Sequence, residues 1–239
     1  MATTCDWTLL EELWSALGSW TDGDINGAVS SISPAGQLYL DCRAMTDPGV
    51  AARNKDIGTI GTGDYTVYIR FKGDVWDKQS PGNFGITLYI CGNTNNLHIN
   101  IGHDNGDKGV FVRSAAGWVK VVTKTWDNDW HTIRLDVHNS QTDVDIYVDD
   151  EESPSATDAA CDQAAIDDDG AVFVIGQGSV AGNGEYHIDF IKINSGLCDP
   201  TESGGPAGVK TINELAIASV KTINETAIAS VKTINNSAV

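Results

Sequence analysis

The sequence predicts an all-β protein: an antiparallel two-sheet jelly-roll sandwich with a short N-terminal helix and a repetitive C-terminal β tail. From about residue 25 to residue 196, short β-branched and aromatic runs are separated by Gly, Asn, Asp and Pro, as in many-stranded antiparallel proteins. Runs such as Ile133–Val137 and Val144–Val148 alternate apolar and polar residues, which places one face on a core and the other in water. A short internal repeat follows after Pro200.

The helix is predicted over Thr8–Leu17. Thr8 and Glu11 have the spacing of a capping box, and Gly18 can end the helix. Its apolar residues fall on one face: Leu10, Leu13, Trp14 and Leu17. We therefore assign residues 1–24 to the helix and a leading segment, and residues 25–198 to the sandwich.

The sandwich strands are predicted from the apolar runs and the turns between them. These runs are Gln37–Cys42, Tyr65–Phe71, Ile86–Cys91, Leu97–Ile101, Val110–Arg113, Val119–Val122, His131–Val137, Val144–Val148, Ala171–Ile175 and Tyr186–Ile193. The polar stretches between them are predicted loops, where binding residues are most often displayed.

The C-terminal region divides into a linker, residues 199–208, and a tail, residues 209–239, with an eleven-residue repeat. The repeat reads VKTINELAIAS, VKTINETAIAS and a truncated VKTINNSAV. Its β-branched density and Asn-containing pairs favour strand–turn–strand units; a helix and a disordered tail are the alternatives. Two or three such units make too little core to be stable alone, so the tail is predicted to attach the protein to a partner. The predicted attachment residues are Val209, Ile212, Ile217, Val220, Ile223, Ile228, Val231 and Ile234.

The charge of the chain limits its partners. Thirty-three acidic residues against fifteen basic ones give a formal net charge of −18, which repels phosphate backbones and anionic membrane surfaces. The sequence contains no apolar run of bilayer-spanning length, and its N-terminus lacks the pattern of a signal peptide. We therefore expect no nucleic-acid partner and no membrane insertion.

The five cysteines are scattered and form no CxxC pair. Reduced, buried thiols are the expectation. A bridge between Cys5 and Cys198 would join the two ends of the sandwich, and the sequence leaves this pairing open.

Four segments carry a family resemblance: Gly63–Phe71, Trp130–Leu135, Ile146–Asp150 and Tyr186–Ile193. In order and spacing they resemble strands of the laminin-G and concanavalin A-like lectin/glucanase superfamily, over about residues 27–196. The resemblance implies a jelly-roll fold. It also implies a carbohydrate- or protein-binding module, calcium-dependent in some members, and a glycoside hydrolase in a minority of them.

The tail resembles the short repeats that follow jelly-roll modules in bacteriophage structural proteins. This resemblance implies a non-enzymatic virion surface protein, made in the host cytoplasm without a signal peptide and used for adhesion or decoration. Its implied partners are other virion proteins or copies of itself, held through the repeats, and cell-surface glycans. A glycoside hydrolase and a secreted calcium-dependent lectin are the alternatives.

The predicted ligand-binding residues lie in two loops. Sugar recognition needs an exposed aromatic face flanked by polar side chains, and Trp76 in the loop from residue 73 to 85 has both. Packing under that loop is the alternative explanation for Trp76. The residues assigned to this site are Trp76, Asp77, Asn83, His103 and Asn105.

Calcium is the one cofactor that the sequence suggests. Asp22, Asp24 and Asn26 stand at alternate positions before Gly27, as in the first half of a calcium-binding loop. Position twelve of that loop is Ser33 where a bidentate Glu is required, so a plain turn is the favoured alternative.

No catalytic residue is predicted. The sequence contains no E-x-D-x-x-E pattern and no G-x-S-x-G elbow. Asp143, Asp145 and Asp149 alternate with apolar residues, as the solvated face of a strand does. The sequence therefore predicts a protein that is not an enzyme.

Overall fold

The computed structural model describes most of the sandwich and four short pieces of the tail. The described residues are 5–24, 27–43, 49–58, 60, 62–76, 85–92, 95–104, 107–138, 141–164, 171–178, 184–200, 222–223, 226–227, 233–234 and 237–238. Side chains are described at all of these except 49–50, 75, 103–104, 107, 171, 173–178 and the tail pieces.

The sandwich is formed by fifteen described strands, all paired antiparallel. They are β1 (Leu10–Glu12), β2 (Thr21–Asp22), β3 (Val29–Ile32), β4 (Leu38–Asp41), β5 (Gly49–Asp56), β6 (Tyr65–Val75), β7 (Ile86–Cys91), β8 (Asn96–Asp104), β9 (Asp107–Ser114), β10 (Gly117–Thr123), β11 (His131–His138), β12 (Asp143–Val148), β13 (Ala156–Ala160), β14 (Ala171–Gly178) and β15 (Glu185–Ser195). The eight-stranded sheet has the order β13-β12-β11-β6-β15-β4-β3, with β1 also on β15. The seven-stranded sheet has the order β10-β9-β8-β7-β14-β5-β2.

One hydrophobic core lies between the two sheets. Alternate residues of each strand point inward because successive side chains of a strand point to opposite faces. From the eight-stranded sheet they include Val67, Ile69, Phe71, Ile133, Leu135, Ile146 and Ile191, and from the seven-stranded sheet Ile86, Leu88, Ile90, Leu97, Ile99, Val110 and Val112. Full burial of one such side chain stabilises the fold by about 1.5–3 kcal/mol. The all-β two-sheet prediction is confirmed, and each of the ten predicted strands coincides with an observed strand.

The predicted helix over Thr8–Leu17 is wrong. Residues 10–12 form β1, which pairs with β15 in the register Leu10↔Ile193 and Glu12↔Ile191. Strand β4 pairs only with residues 185–188 of β15, so the remaining residues on that edge of β15 are available to another strand. Strand β1 pairs there and satisfies the backbone N–H and C=O groups of β15. Trp14 has φ 51°, which a right-handed helix does not permit.

The side chains of the predicted helix face do not stay together. Leu10 and Trp14 are 5% and 0% exposed, whereas Leu13 is 53% exposed. The carboxylate of Glu12 accepts the Trp14 backbone N–H at 2.9 Å and the Trp20 Nε1–H at 2.8 Å, which fixes the turn after β1. The strands β1 and β2 of the predicted leading segment are therefore parts of the two sheets.

Cys5 and Cys198 form a disulfide, with 5.1 Å between their Cα atoms. The pairing that the sequence left open is thus made, and it ties the segment before β1 to the segment after β15. Thr66 of β6 lies beside it, since its hydroxyl oxygen accepts the Cys198 backbone N–H at 3.0 Å. Cys42, Cys91 and Cys161 are buried and form no disulfide with any described residue.

The described pieces of the tail are paired strands. Thr222–Ile223 (β16) pairs with Thr226–Ala227 (β17), and Thr233–Ile234 (β18) pairs with Ser237–Ala238 (β19). The two hairpins occupy equivalent positions of successive repeats, as the strand–turn–strand interpretation predicts. The other attachment residues lie outside the described residues: Val209, Ile212, Ile217, Val220, Ile228 and Val231.

Candidate functional site

The outer surface of strands β7 to β10 carries polar and aromatic side chains on a sheet whose other side is the core. Leu97, Ile99 and Ile101 of β8 point inward, so the residues between them point outward. We name this outer surface the β7–β10 face and define it by Thr87, Tyr89, Cys91, Asn96, His98, Asn100, Phe111, Arg113, Trp118 and Lys120. None of these residues is acidic; the two acidic residues at the same face of β8 and β9, Asp104 and Asp107, are each six positions along the strand from His98 and Arg113.

An aromatic row crosses this face. Tyr89 and His98 are cross-strand partners, and Arg113 and Trp118 are partners on the next pair of strands. The His98 ring stands edge-on between its neighbours, 4.7 Å from the Tyr89 ring centre and 4.5 Å from that of Trp118. Each such perpendicular ring contact stabilises the fold by about 0.5–1.5 kcal/mol and fixes the orientation of the two rings. The row thus presents a rigid, partly exposed indole at one edge of the sheet.

His98 is held as a neutral ring. Burial lowers the pKa of His98 from 6.5 to about 4, and the nearby positive charge of Arg113 adds to this. Its Nδ1 lies 3.2 Å from the Gln163 side-chain oxygen, which can only accept, so the ring proton resides on Nδ1. The Nε2 atom then keeps a lone pair that can accept a hydrogen bond from a hydroxyl group.

Arg113 places a positive charge on this row. Its guanidinium lies over the Trp118 ring, 5.3 Å from the centroid. Within the part of the chain that the structure describes, no carboxylate forms an ion pair with Arg113. A guanidinium that stacks on an aromatic face keeps N–H donors at its edge, suited to paired oxygen atoms.

Next to the aromatic row lies a buried amide. Asn100 is 1% exposed, its side-chain oxygen accepts a hydrogen bond from the Thr87 hydroxyl, and Phe111 is its partner on the other side. Its Nδ2 is buried and has no hydrogen-bond partner. A buried donor without a partner costs about 1–3 kcal/mol, and because this atom has no contact with solvent it is not accessible to a ligand on the face.

The segment after β13 borders the β7–β10 face. Asn96 donates its side-chain N–H groups to the Tyr89 hydroxyl at 2.6 Å and to the Ala164 carbonyl at 3.0 Å. Its backbone N–H donates to the Gln163 carbonyl at 2.8 Å. These bonds fix Gln163 beside His98 and give the face a wall.

Trp76, predicted to stack on a sugar, packs across the end of the sandwich. Its indole is partly exposed, lies 6.1 Å from the Trp126 ring and 5.3 Å from the Tyr186 ring, and donates Nε1–H to the Asp127 carbonyl at 2.9 Å. A Cβ added to Gly73 would come within 2.3 Å of this indole, so the ring needs the space that glycine leaves. Trp76 therefore has a packing role.

The rest of the predicted ligand site cannot be placed beside Trp76. Asp77, Asn83 and Asn105 lie outside the described residues, as does the side chain of His103. Whether these residues bind a ligand stays a prediction.

The predicted calcium residues are used by the protein itself. Asp24 accepts hydrogen bonds from the Ser30 backbone N–H and hydroxyl, both at 2.6 Å, and from the Ala52 backbone N–H at 2.8 Å. Asp22 accepts the Asp24 backbone N–H at 2.8 Å and lies 3.5 Å from Arg53. Asn26 lies outside the described residues. These are the contacts of a turn between β2 and β3 whose carboxylates hydrogen-bond to β3 and β5.

Metal and membrane sites were also sought in the part of the chain that the structure describes. It contains no group of three or more His, Cys, Asp or Glu side chains placed to hold a metal ion. Nor does any helix of the described residues have the length and apolar character needed to cross a bilayer.

Two carboxylates face each other on the opposite sheet. Asp136 of β11 is the cross-strand partner of Asp145 of β12, and burial raises the pKa of Asp136. Asp136 accepts the Thr66 hydroxyl at 2.8 Å, lies 3.6 Å from Arg134 and is 9% exposed. Its charge is therefore engaged by the protein, and little of it is accessible to a substrate.

The sequence reasoning missed the β7–β10 face. Neither His98 nor Trp118 is among the residues that the sequence assigned to a site. The available signal was the alternation Leu97-His98-Ile99-Asn100-Ile101, which places His98 and Asn100 on the face away from the core. The alternation alone does not say which strands lie next to each other, so the row with Arg113 and Trp118 needed the sheet order.

Comparison with known proteins shows the fold. No family model matches the chain, and no curated protein matches it. Among solved structures, it is similar to a carbohydrate esterase of the Shiga toxin-encoding bacteriophage phi24B, with 18% identity, a TM-score of 0.56, and coverage of 82% of this chain and 100% of that one. It is also similar to peanut lectin, with 11% identity, a TM-score of 0.54, and coverage of 79% and 97%.

A third similar structure is domain 4 of an extracellular arabinanase from Geobacillus stearothermophilus, solved in complex with arabinotriose. The identity is 14% and the TM-score 0.53, with 85% of this chain and 98% of that one covered. The chain thus has the concanavalin A-like jelly-roll fold of lectins and carbohydrate-binding domains, as the resemblance predicted.

Proposed function

We propose that this protein is a non-enzymatic carbohydrate-binding module, displayed on a phage-type virion and attached by its C-terminal repeats. The observation that carries the proposal is the β7–β10 face. There a partly exposed indole, a neutral imidazole and a guanidinium without an ion pair among the described residues lie on a rigid sheet.

These groups suit the two sides of a sugar ring. The apolar side of the ring stacks on Trp118, while hydroxyl groups exchange hydrogen bonds with the Nε2 of His98 and the guanidinium of Arg113. Their positions are set by backbone pairing and perpendicular ring contacts, so little conformational entropy is lost on binding. The similarity to peanut lectin and to an arabinotriose-bound domain supports this use of the fold.

Binding without hydrolysis is the form of activity that the face supports. Glycoside hydrolysis needs two carboxyl groups facing one cleft, and the residues around Trp118 include none, since Asp104 and Asp107 of β8 and β9 are six positions from His98 and Arg113. Asp136 and Asp145 lie on the other sheet, in contact with Thr66, Arg134 and His138. The proposal therefore predicts no release of reducing sugar from bound glycans.

Display on a particle is supported by three features. The tail repeats form successive hairpins that need a partner surface, and a similar solved chain comes from a bacteriophage. The disulfide Cys5–Cys198 persists in oxidising surroundings such as those outside the cell.

The binding proposal is tested with the full chain on a panel of immobilised glycans, followed by titration calorimetry. Trp118→Ala should weaken binding at least tenfold, because it removes the stacking surface. The matched control is Trp130→Ala, which removes an indole under Arg70 on the other sheet and should leave the affinity within twofold. Equal affinity for the wild type and Trp118→Ala would contradict the assignment of the face, and no binding to any glycan would contradict the function.

The attachment proposal is tested by light-scattering mass measurement of the full chain beside a chain ending at Gly208. We expect the full chain to assemble or to bind particles and the shortened chain to do neither. If both chains are monomers and neither binds particles, attachment by the tail is contradicted and the binding proposal is unaffected.

A further inference from the structure

We infer that the β7–β10 face selects anionic glycans and that Arg113 binds the acidic substituent. This inference rests on the proposed carbohydrate-binding function and names the ligand class of the same site. A carboxylate or a sulfate ester on the sugar supplies the paired oxygen atoms that a guanidinium edge recognises.

The first argument is charge segregation. The chain has a formal net charge of −18, yet the strands around the aromatic row carry Arg113 and Lys120, and the acidic pair of these strands, Asp104 and Asp107, is six positions away from His98 and Arg113. An acidic ligand is repelled by most of the molecular surface and finds favourable charge at this face.

The second argument is the state of the Arg113 side chain. The other described arginines on or beside the sheets are paired: Arg43 with Asp41, Arg53 with Asp22, Arg70 with Asp189 and Arg134 with Asp199. Arg113 contacts the Trp118 ring and has no ion pair among the described residues. The acidic residue nearest in the border segment, Asp162, accepts the Ala115 backbone N–H at 3.0 Å. The positive charge of Arg113 is thus left for a ligand.

The third argument is the balance of donors and acceptors. A face that binds neutral sugars commonly offers carboxylate oxygens to their hydroxyl groups, and this face has none. It offers the Arg113 guanidinium, whose N–H groups lie beside the Trp118 ring. Donors aligned beside a stacking indole match a sugar ring with acceptor oxygens on its rim.

The ligand itself provides the sharpest test, since its charge can be removed without changing the protein. Titration calorimetry of the full chain would compare trigalacturonate with its methyl ester, and lactose with 3′-sialyllactose and 3′-sulfolactose. We expect the charged member of a pair to bind at least tenfold more tightly in 0.1 M salt, with the preference falling in 1 M salt. The sialyl and sulfo compounds distinguish carboxylate from sulfate recognition.

A variant pair assigns the effect to one residue. Arg113→Gln keeps a polar side chain without the charge and should reduce the preference for the charged member to less than twofold. Arg70→Gln, on the other sheet, is the matched control and should keep the full preference. Circular dichroism and the melting temperature of both variants verify that they are folded.

The outcomes separate this inference from the proposed function. Equal binding of charged and esterified ligands by the wild type would overturn the anionic preference and leave carbohydrate binding in place. An unchanged preference in folded Arg113→Gln would overturn the role of Arg113. Failure of every glycan to bind would overturn both the inference and the function.

Discussion

The two sheets each carry a tryptophan under an arginine on their outer surface, and the two pairs differ in what surrounds them. On the eight-stranded sheet, Arg70 lies 4.9 Å from the Trp130 ring centre and forms a 2.7 Å ion pair with Asp189. On the seven-stranded sheet, Arg113 lies 5.3 Å from the Trp118 ring centre and pairs with no described carboxylate. The same local motif is thus neutralised on one side of the molecule and left charged on the other.

The rest of the eight-stranded sheet's outer surface follows the neutralised pattern. His187 contacts Asp74, which also binds Lys72, and the Tyr39 hydroxyl donates to Glu185 beside Arg43. Arg134 stacks 3.5 Å from the Tyr147 ring centre under the chain that leads to the disulfide. Polar groups that satisfy one another brace the fold. Substitutions on this sheet should therefore change stability, and substitutions on the β7–β10 face should change binding.

The largest expected effect is loss of the disulfide. Cys5→Ser with Cys198→Ser should lower the free energy of unfolding by about 4 kcal/mol, because the bond joins residues 193 apart and restricts the unfolded chain. Urea unfolding measures the loss, and calorimetry should show unchanged glycan affinity below the melting temperature. A reducing agent should destabilise the wild type and leave the double variant unaffected; equal stability of the two proteins would refute a bracing role.

A smaller loss of stability is expected from Arg134→Ala. The side chain of Arg134 is buried, and its Nη1 lies 2.7 Å from Asp199, so its removal leaves Asp136 and Asp199 without their cation. We expect a decrease of about 3 kcal/mol in the free energy of unfolding. Arg113→Ala, the matched change on the other sheet, should cost less than about 0.5 kcal/mol while weakening binding. The comparison between the sheets fails if both variants lose the same stability.

The smallest effect is a pH dependence that originates at His98. Because the pKa falls from 6.5 to about 4 on folding, the unfolded chain binds more protons between these values, and stability decreases as the pH is lowered through that range. His98→Phe keeps a ring between Tyr89 and Trp118 and removes the titration. Between pH 7 and pH 4 the wild type should lose more free energy of unfolding than His98→Phe. The difference between the two losses should be about 2 kcal/mol after allowance for solvent screening. Parallel pH profiles of the two proteins would show that His98 is not buried as a neutral ring.

The fold could be predicted from sequence because its signal is local. Alternation and turn residues located ten of the strands, and the repeat located the tail hairpins. The helix prediction failed at Thr8–Leu17 because capping and periodicity describe an isolated segment. That segment instead joins the open edge of β15, a partner nearly two hundred residues away, and tertiary pairing outweighs local propensity.

The site was harder to predict because it is assembled across strands. The sequence pointed to a loop tryptophan, Trp76, which stays a prediction, and the stacking residue that we propose on the β7–β10 face is Trp118 at a strand start. Tyr89, His98 and Trp118 become a row only when β7, β8, β9 and β10 are placed side by side in register. These four strands are consecutive in the chain, and strand boundaries alone do not give the register that brings the three rings into line.

The position of the disulfide has a mechanical consequence for a protein held by its tail. A pull on the tail reaches Cys198 first and is divided there between β15 and, through Cys5, β1. These two strands lie side by side, and β15 is also bonded along its length to β6 at the centre of the sheet. The load therefore acts along hydrogen-bonded strands in shear, rather than peeling one edge strand away. In a particle tethered through this domain, the pulling force would act on the eight-stranded sheet. A glycan bound at the β7–β10 face would lie on the seven-stranded sheet, which the tail does not pull directly.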